Sequence, residues 1–237
     1  AQMFPKARVL RMDADTTSTK NAFERKFKAF SDGEFDIMVG TQMIAKGLDF
    51  PNVTLVGVLK IDNSLYAADF RAYERTFSLI TQVVGRSGRG GKKGRALLQT
   101  FSPEHYVINL AAHQNYPDFY AEEILLREAQ FYPPFCDLVT FGFSSLENER
   151  CHAAARKFAG MLRENAKTYG NRVPMRILGP APNTVGRING RYRYHLIVKC
   201  RNSKALRSVV EAALKQAYGD KAFENVGFYA DINGNAD

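Results

Sequence analysis

Gln82, Arg86 and Arg89 stand at i, i+4 and i+7 in the run Gln82-Val83-Val84-Gly85-Arg86-Ser87-Gly88-Arg89. On a continuous helix the three project from one face. Two guanidiniums and an amide on one face make a clamp for phosphate oxygens. A guanidinium suits this because its planar fork gives phosphate two parallel hydrogen bonds and never loses its charge. Gly85 and Gly88 allow close backbone approach and end the helix soon after. An arginine pair aimed at a transferring phosphoryl group is the arginine-finger arrangement of nucleotide hydrolases.

A second polar cluster comes earlier, at Gly40-Thr41-Gln42-Met43-Ile44-Ala45-Lys46-Gly47-Leu48-Asp49. It starts where an apolar run ends, at the carboxyl end of an expected strand, and ligands of open α/β sheets gather there. Thr41 and the N–H groups behind it can hold a phosphate at a helix start. Gly47 permits close packing, and Asp49 can accept a ribose hydroxyl. The same residues also read as an ordinary strand–loop–helix connection with an Asp cap.

Two further basic groups lie toward the C-terminus. Arg187, Arg191 and Arg193 flank an Asn189-Gly190 pair, with Tyr192 and Tyr194 interleaved in the run Arg191-Tyr192-Arg193-Tyr194. Asn-Gly favours a tight hairpin because both residues tolerate positive φ. Alternation then places Arg191, Arg193 and His195 on one strand face and Tyr192, Tyr194 and Leu196 on the other. The cations can meet phosphates while the tyrosines stack on bases or fill the core. Arg201, Lys204 and Arg207 surround the expected start of a helix capped by Ser203, a position that receives anions. His105, His113, His152 and His195 have no metal-ligand spacing and read as structural or surface residues. Cys136, Cys151 and Cys200 are odd in number and far apart, which fits neither a disulfide framework nor a zinc site and points to a reducing compartment.

The elements that must position these residues follow from periodicity. The 237 residues suffice for two modest domains, and a formal net charge of +9 points to a polyanionic partner such as nucleic acid. No apolar run approaches the ~18 residues of a membrane span. Apolar runs at Arg8–Met12, Ile37–Gly40, Val53–Ile61 and Ala96–Phe101 alternate with helical patterns at Lys20–Phe30 and Arg71–Arg86. The second helical pattern carries Tyr73, Phe77, Ile80 and Val84 on one stripe, widened by Ala72, Thr76, Leu79 and Val83, so it should face a core. This alternation implies a parallel sheet flanked by helices, an α/β domain over residues 1–115. Pro103 and Pro117 are expected in the first turns of helices that reach Gln130. Residues 116–135 read as a helical connector, stopped by Tyr132-Pro133-Pro134-Phe135. Residues 136–237 then follow strand (Leu138–Ser144), long helix (Glu149–Tyr169), short strand (Arg176–Leu178), strand (Tyr192–Cys200), helix to Tyr218 and strand (Val226–Ile232). That β-α-β-β-α-β order predicts a smaller ferredoxin-like α+β domain.

Thr41-x5-Gly47-x-Asp49 and Gln82-x-x-Gly85-Arg86-x-x-Arg89 resemble motifs V and VI of superfamily 2 helicases. Asp13-Ala14-Asp15-Thr16-Thr17, Gly40 to Gly47, Asp69-Phe70-Arg71-Ala72-x-Glu74-Arg75-Thr76, Tyr132-Pro133-Pro134-Phe135 and Leu178-Gly179-Pro180-x-Pro182 narrow the resemblance to the bacterial PriA-type primosomal helicases. It covers essentially the whole chain. It implies a RecA-like second helicase lobe, entered partway and so N-terminally truncated, followed by the family's C-terminal domain. It further implies an ATP-dependent translocase, unwinding DNA 3′ to 5′, that binds branched and single-stranded DNA at stalled forks. Such a protein displaces single-stranded DNA-binding protein and recruits other primosome proteins in the cytoplasm, at the nucleoid.

Carried over by position, Arg86 and Arg89 contact the ATP phosphates, with Gln82 beside the γ-phosphate or attacking water. Asp49, Gly47 and Gly85 line the nucleotide cleft, and Thr41 and Gln42 touch the DNA backbone or couple it to the cleft. Arg187, Arg191 and Arg193 fall to DNA. Arg201, Lys204 and Arg207 fall to the acidic tail of single-stranded DNA-binding protein. The phosphate loop and Mg²⁺ ligands are absent here and belong to the other lobe, and the family's zinc-binding cysteines are absent too. The chain is therefore expected to be a C-terminal fragment, inactive alone, of an enzyme that uses ATP with Mg²⁺ and carries Zn²⁺. Ser87 stands where the family usually has Ala, and Asp231-Ile232-Asn233-Gly234 departs from its usual ending, so no role is assigned there. The competing class is a non-enzymatic DNA- and protein-binding module with a vestigial clamp.

Overall fold

Apolar runs broken by Gly, Pro and Asp become short strands, and stripes at helical spacing become the layers over them. The structure, a computed structural model, describes residues 4–12, 20–41, 52–85, 94–168 and 173–233. The chain forms two compact units, one of Ala1–Ala67 with Arg71–Tyr120, the other of Ala68–Phe70 with Ala121–Asp237.

The first unit runs β1 (Val9–Met12), α1 (Lys20–Ser31), β2 (Ile37–Gly40), β3 (Leu55–Val58), α2 (Asp62–Leu65), α3 (Ala72–Val84), β4 (Arg95–Leu98), α4 (Tyr106–Ala112) and the start of α5 (Tyr116–Gln130). β1 pairs with β2 and β3 with β4, both parallel, as strands joined through helices must. The apolar stripe of α3 is buried at Ala72, Phe77, Ile80 and Val83. It packs with Ile61, Leu65, Val107, Ile108, Ala111 and Phe119, and the Phe77 and Phe119 rings stack 4.2 Å apart. Buried Thr76 shares the stripe because its hydroxyl donates to Ser64 Oγ at 3.0 Å. Arg8 grips Asp36 through two side-chain bonds, which holds that carboxyl down at about 2.

Two expectations are corrected here. The strand expected over Val53–Ile61 is limited to Leu55–Val58. Lys60 turns at φ 54°, and Ile61 donates its N–H to the Gln99 carbonyl and enters the helical core. Pro103 precedes α4 instead of opening it. The N-cap is His105, whose Nδ1 accepts the Val107 N–H at 3.3 Å. Pro117 lies in the first turn of α5, as expected, after a break at Gln114 (φ 54°), and Asn115 starts the helix by accepting the Asp118 N–H.

The second unit runs from the rest of α5 to β5 (Asp137–Ser145), α6 (Asn148–Thr168), β6 (Met175–Ile188), β7 (Arg191–Cys200), α7 (Lys204–Tyr218), a turn of 3-10 helix at Lys221–Phe223, and β8 (Gly227–Ile232). The sheet order is β6-β7-β5-β8, with every neighbouring pair antiparallel. Val139, Phe141 and Phe143 of β5 and Leu196, Val198 and Cys200 of β7 share one core with α6 and α7. Cys151, Ala154, Ala155 and Ala159 line the buried side of α6, and small side chains there let the helix approach the sheet closely.

The short strand expected at Arg176–Leu178 instead extends to Ile188. Gly179, Pro180 and Pro182 read as breakers, yet β6 is an edge strand, where proline costs no ladder bond. Register shifts between Leu178 and Ala181, and between Pro182 and Arg187, absorb the irregular backbone. Gly179 has φ 96°, and a side chain there would meet the His195 carbonyl oxygen at 2.8 Å. Only glycine meets both conditions.

Candidate phosphate clamp and nucleic-acid face

α3 positions Gln82, because its buried stripe fixes the last turn in which that residue stands. Gln82 lies half-buried in that turn. The assigned helix stops at Val84, and Gly85 caps it in helical geometry, its N–H donating to the Thr81 carbonyl at 2.9 Å. A side chain at Gly85 would sit 3.2 Å from that carbonyl. Arg86 and Arg89 lie outside the described residues, as do Gln42, Gly47 and Asp49. Thr41 is exposed and follows β2 directly, at the carboxyl end of a parallel strand pair.

In the second unit the Asn189-Gly190 turn forms with φ 49° and 78°, and it joins β6 and β7 in register at Ile188 and Arg191. Its arginines differ in their surroundings. Arg191 reaches across to β5 and donates through Nη2 to the Ser144 carbonyl at 2.9 Å. Arg187 donates to the Gly190 carbonyl at 3.2 Å and lies over the Tyr192 ring at 4.9 Å. Arg193, half-buried, makes no side-chain hydrogen bond or ion pair among the described residues. Arg191 thus ties the hairpin to β5, and Arg187 braces its turn. Tyr194 packs on the helical core and donates its hydroxyl to Asn148 Oδ1 at 3.0 Å, so it fills the interior. His195 lies 3.4 Å through Nδ1 from Oδ1 of buried Asn183, and burial lowers its pKa.

The third cluster surrounds the start of α7. Ser203 caps the helix by accepting the Leu206 N–H at 3.1 Å. Arg201, Lys204 and Arg207 are all exposed around it, with Arg207 donating to Asn202 Oδ1 at 3.1 Å. Beneath this end, Asp137 accepts the Asn202 N–H at 2.8 Å and the Asn233 amide at 3.1 Å, and these bonds hold its carboxyl below the usual range. Asn233 also accepts the Leu138 N–H at 2.8 Å. It therefore ties β8 to β5, a role that no spacing in the chain announces, because the partners are about ninety-five positions apart.

The remaining titratable groups serve the fold. His113 bonds the Asn109 carbonyl, and His152 lies against the Tyr194 ring. Cys136, Cys151 and Cys200 are free thiols, and burial pushes Cys200 up to about 12, away from nucleophilic use. Among the described residues no group of three or more His, Cys, Asp or Glu is placed to hold a metal. None of the described helices is long and apolar enough to cross a membrane.

The first unit is mixed α/β and carries the Gln82-x-x-Gly85 sequence at the end of α3, and the second is α+β with a basic hairpin. Residues 2–91 match the helicase conserved C-terminal domain, and residues 128–233 match the primosomal protein N C-terminal domain. Over 98% of its length the chain is 42% identical to the replication restart protein PriA of Bacillus subtilis, of which it covers 28%. It is 37% identical to that of Chlamydia trachomatis over 91% of the chain and 28% of the relative. It is 41% identical to that of Synechocystis over 84% of the chain and 23% of the relative. The chain belongs to the PriA-type replication restart family, and it spans little more than a quarter of the length of its Bacillus relative.

Proposed function

We propose that this chain is the C-terminal portion of an ATP-dependent 3′-to-5′ DNA helicase that binds stalled or branched replication forks and begins primosome assembly. The observation that carries this reading is the coexistence, in one chain, of the Gln82–Arg89 clamp sequence at the end of a core-packed helix and the family's C-terminal domain. Strand–helix alternation with parallel pairing supports a RecA-like lobe for the first unit. The all-antiparallel order β6-β7-β5-β8, with both helices in one core, supports a ferredoxin-like second unit.

In this reading Arg86 and Arg89 bind the ATP phosphates as charge develops in the transition state, and Gln82 orients the attacking water. The exposed backbone of Gly85 and the half-buried Gln82 beside it support this reading. Bound ATP with Mg²⁺ supplies the anhydride to be cleaved, and the companion lobe supplies the metal ligands, so this portion alone is inactive. Gly47 and Asp49 line the nucleotide cleft. Thr41, Gln42 and Arg193 face DNA, with Arg187 and Arg191 holding the hairpin that presents Arg193. Arg201, Lys204 and Arg207 receive the acidic tail of single-stranded DNA-binding protein. Zinc, other primosome proteins and a place at the nucleoid belong to the intact protein. The vestigial-clamp reading is not favoured, since the helicase match spans the clamp.

The test is DNA-stimulated ATP hydrolysis by the full-length protein carrying Arg89→Ala. A finger arginine is worth roughly 10³–10⁵ in rate. A loss below about tenfold would return the clamp to a structural role.

A further inference from the structure

Side chains from distant stretches of sequence form a linked series of contacts in the second unit. The Lys199 ammonium lies 3.5 Å from the centroid of the Tyr132 ring. Tyr132 stacks on Phe70, with centroids 5.5 Å apart and planes 12° from parallel. The Arg127 guanidinium lies over Phe70 at 5.5 Å. Both cations are anchored. Lys199 Nζ donates to the Gln130 carbonyl at 2.8 Å, and Arg127 Nε donates to Glu123 at 2.8 Å. Lys199 is 9% exposed and Glu123 is 7% exposed, so the series is largely out of water. Keeping an ammonium there costs desolvation, offset by the carbonyl and the ring face. An apolar side chain of similar length would pack at this place without that cost.

Lys199 at one end of the series and Phe70 within it lead to the two candidate sites. Lys199 lies on β7 and, by strand alternation, shares a face with Arg193 and His195. Phe70 groups with the second unit, yet two residues later the chain enters α3 at Ala72, the helix that ends at Gln82 and Gly85. Resting on the helicase reading above, we infer that the Lys199–Tyr132–Phe70–Arg127 series couples DNA engagement on β7 to the start of α3. Lys199, Tyr132 and Phe70 are then positioning residues for ATP hydrolysis, and they touch neither DNA nor nucleotide. A contiguous packed path of this kind carries coupling when both sites bias its packing.

The experiment uses the full-length protein with a forked DNA bearing single-stranded arms. Lys199→Met removes the charge and keeps the length, Phe70→Leu removes the ring, and Phe70→Tyr keeps it. Three quantities are measured: fork affinity, ATP turnover without DNA, and turnover at saturating DNA. Lys199→Met and Phe70→Leu should each lower DNA-saturated turnover by about fivefold or more, with fork affinity and DNA-free turnover held within about twofold of wild type. Phe70→Tyr should behave as wild type. Unchanged DNA-saturated turnover in both variants overturns the coupling. So does a parallel fall in all three quantities, which marks damage to the fold. If the wild-type protein shows no DNA stimulation at all, the helicase reading fails and the coupling fails with it. Stimulation in wild type that persists unchanged in the variants removes the coupling alone.

Discussion

Arg191 and Arg193 stand two positions apart on one strand face and do different work. Arg191 donates to the Ser144 carbonyl on β5, and Arg193 makes no such bond among the described residues. A guanidinium bonded to backbone commits some of its five donors there, whereas an unbonded one can turn all of them to a phosphate and release its counterion. Arg193→Ala in the full-length protein should therefore reduce the slope of log affinity against log salt by about one. Arg191→Ala should mainly lower the stability of the hairpin. Fork-binding titrations at several salt concentrations decide this, and equal slopes for wild type and Arg193→Ala count against the assignment. The hairpin turn itself is legible in Asn189-Gly190, because both residues tolerate positive φ. Which arginine stays unbonded is not legible, since the register of β5 against β7 brings Ser144 within reach of Arg191.

Elements with a strong single periodicity are legible in the sequence. The stripe on α3 predicts its buried face, and Ser203 predicts the start of α7. α6 reads as a long helix, and its most buried ring is Phe158, which touches the rings of Phe141, Phe143, Phe223 and Phe228. Those contacts come from β5, β8 and the turn before β8, so the ring joins α6 to the neighbouring strands β5 and β8. Truncating it leaves a cavity that the rigid sheet cannot close. Phe158→Ala should cost about 3–5 kcal/mol. Chemical denaturation followed by a probe in the second unit measures this, and a loss below about 1 kcal/mol would contradict the packing. The edge strand β6 shows the opposite case. Its glycine and prolines read as a break because local propensity carries no information about a neighbour able to accept bulges.

At the scale of the whole chain, two units with separate cores carry different surfaces. The net charge of +9 is not spread evenly in function. One basic group frames the hairpin and another surrounds the α7 N-terminus, where helix-end N–H groups add a positive partial charge. A synthetic acidic peptide with the sequence of the tail of single-stranded DNA-binding protein should bind at the second group. Lys204→Glu should weaken that binding at least about tenfold while leaving fork affinity unchanged. Undiminished peptide affinity would move the tail elsewhere.

The sequence by itself determined the strand and helix order, the hairpin turn, the core stripe of α3 and the helicase family. Each of these rests on local spacing or on motifs whose residues lie close together along the chain. Tertiary structure alone decided that Asn233 locks β8 to Asp137 and Leu138, that Arg191 serves the fold, and that Phe70 joins Tyr132 and Lys199. These contacts join residues tens of positions apart. Strand register and burial create them, and neither follows from local propensity.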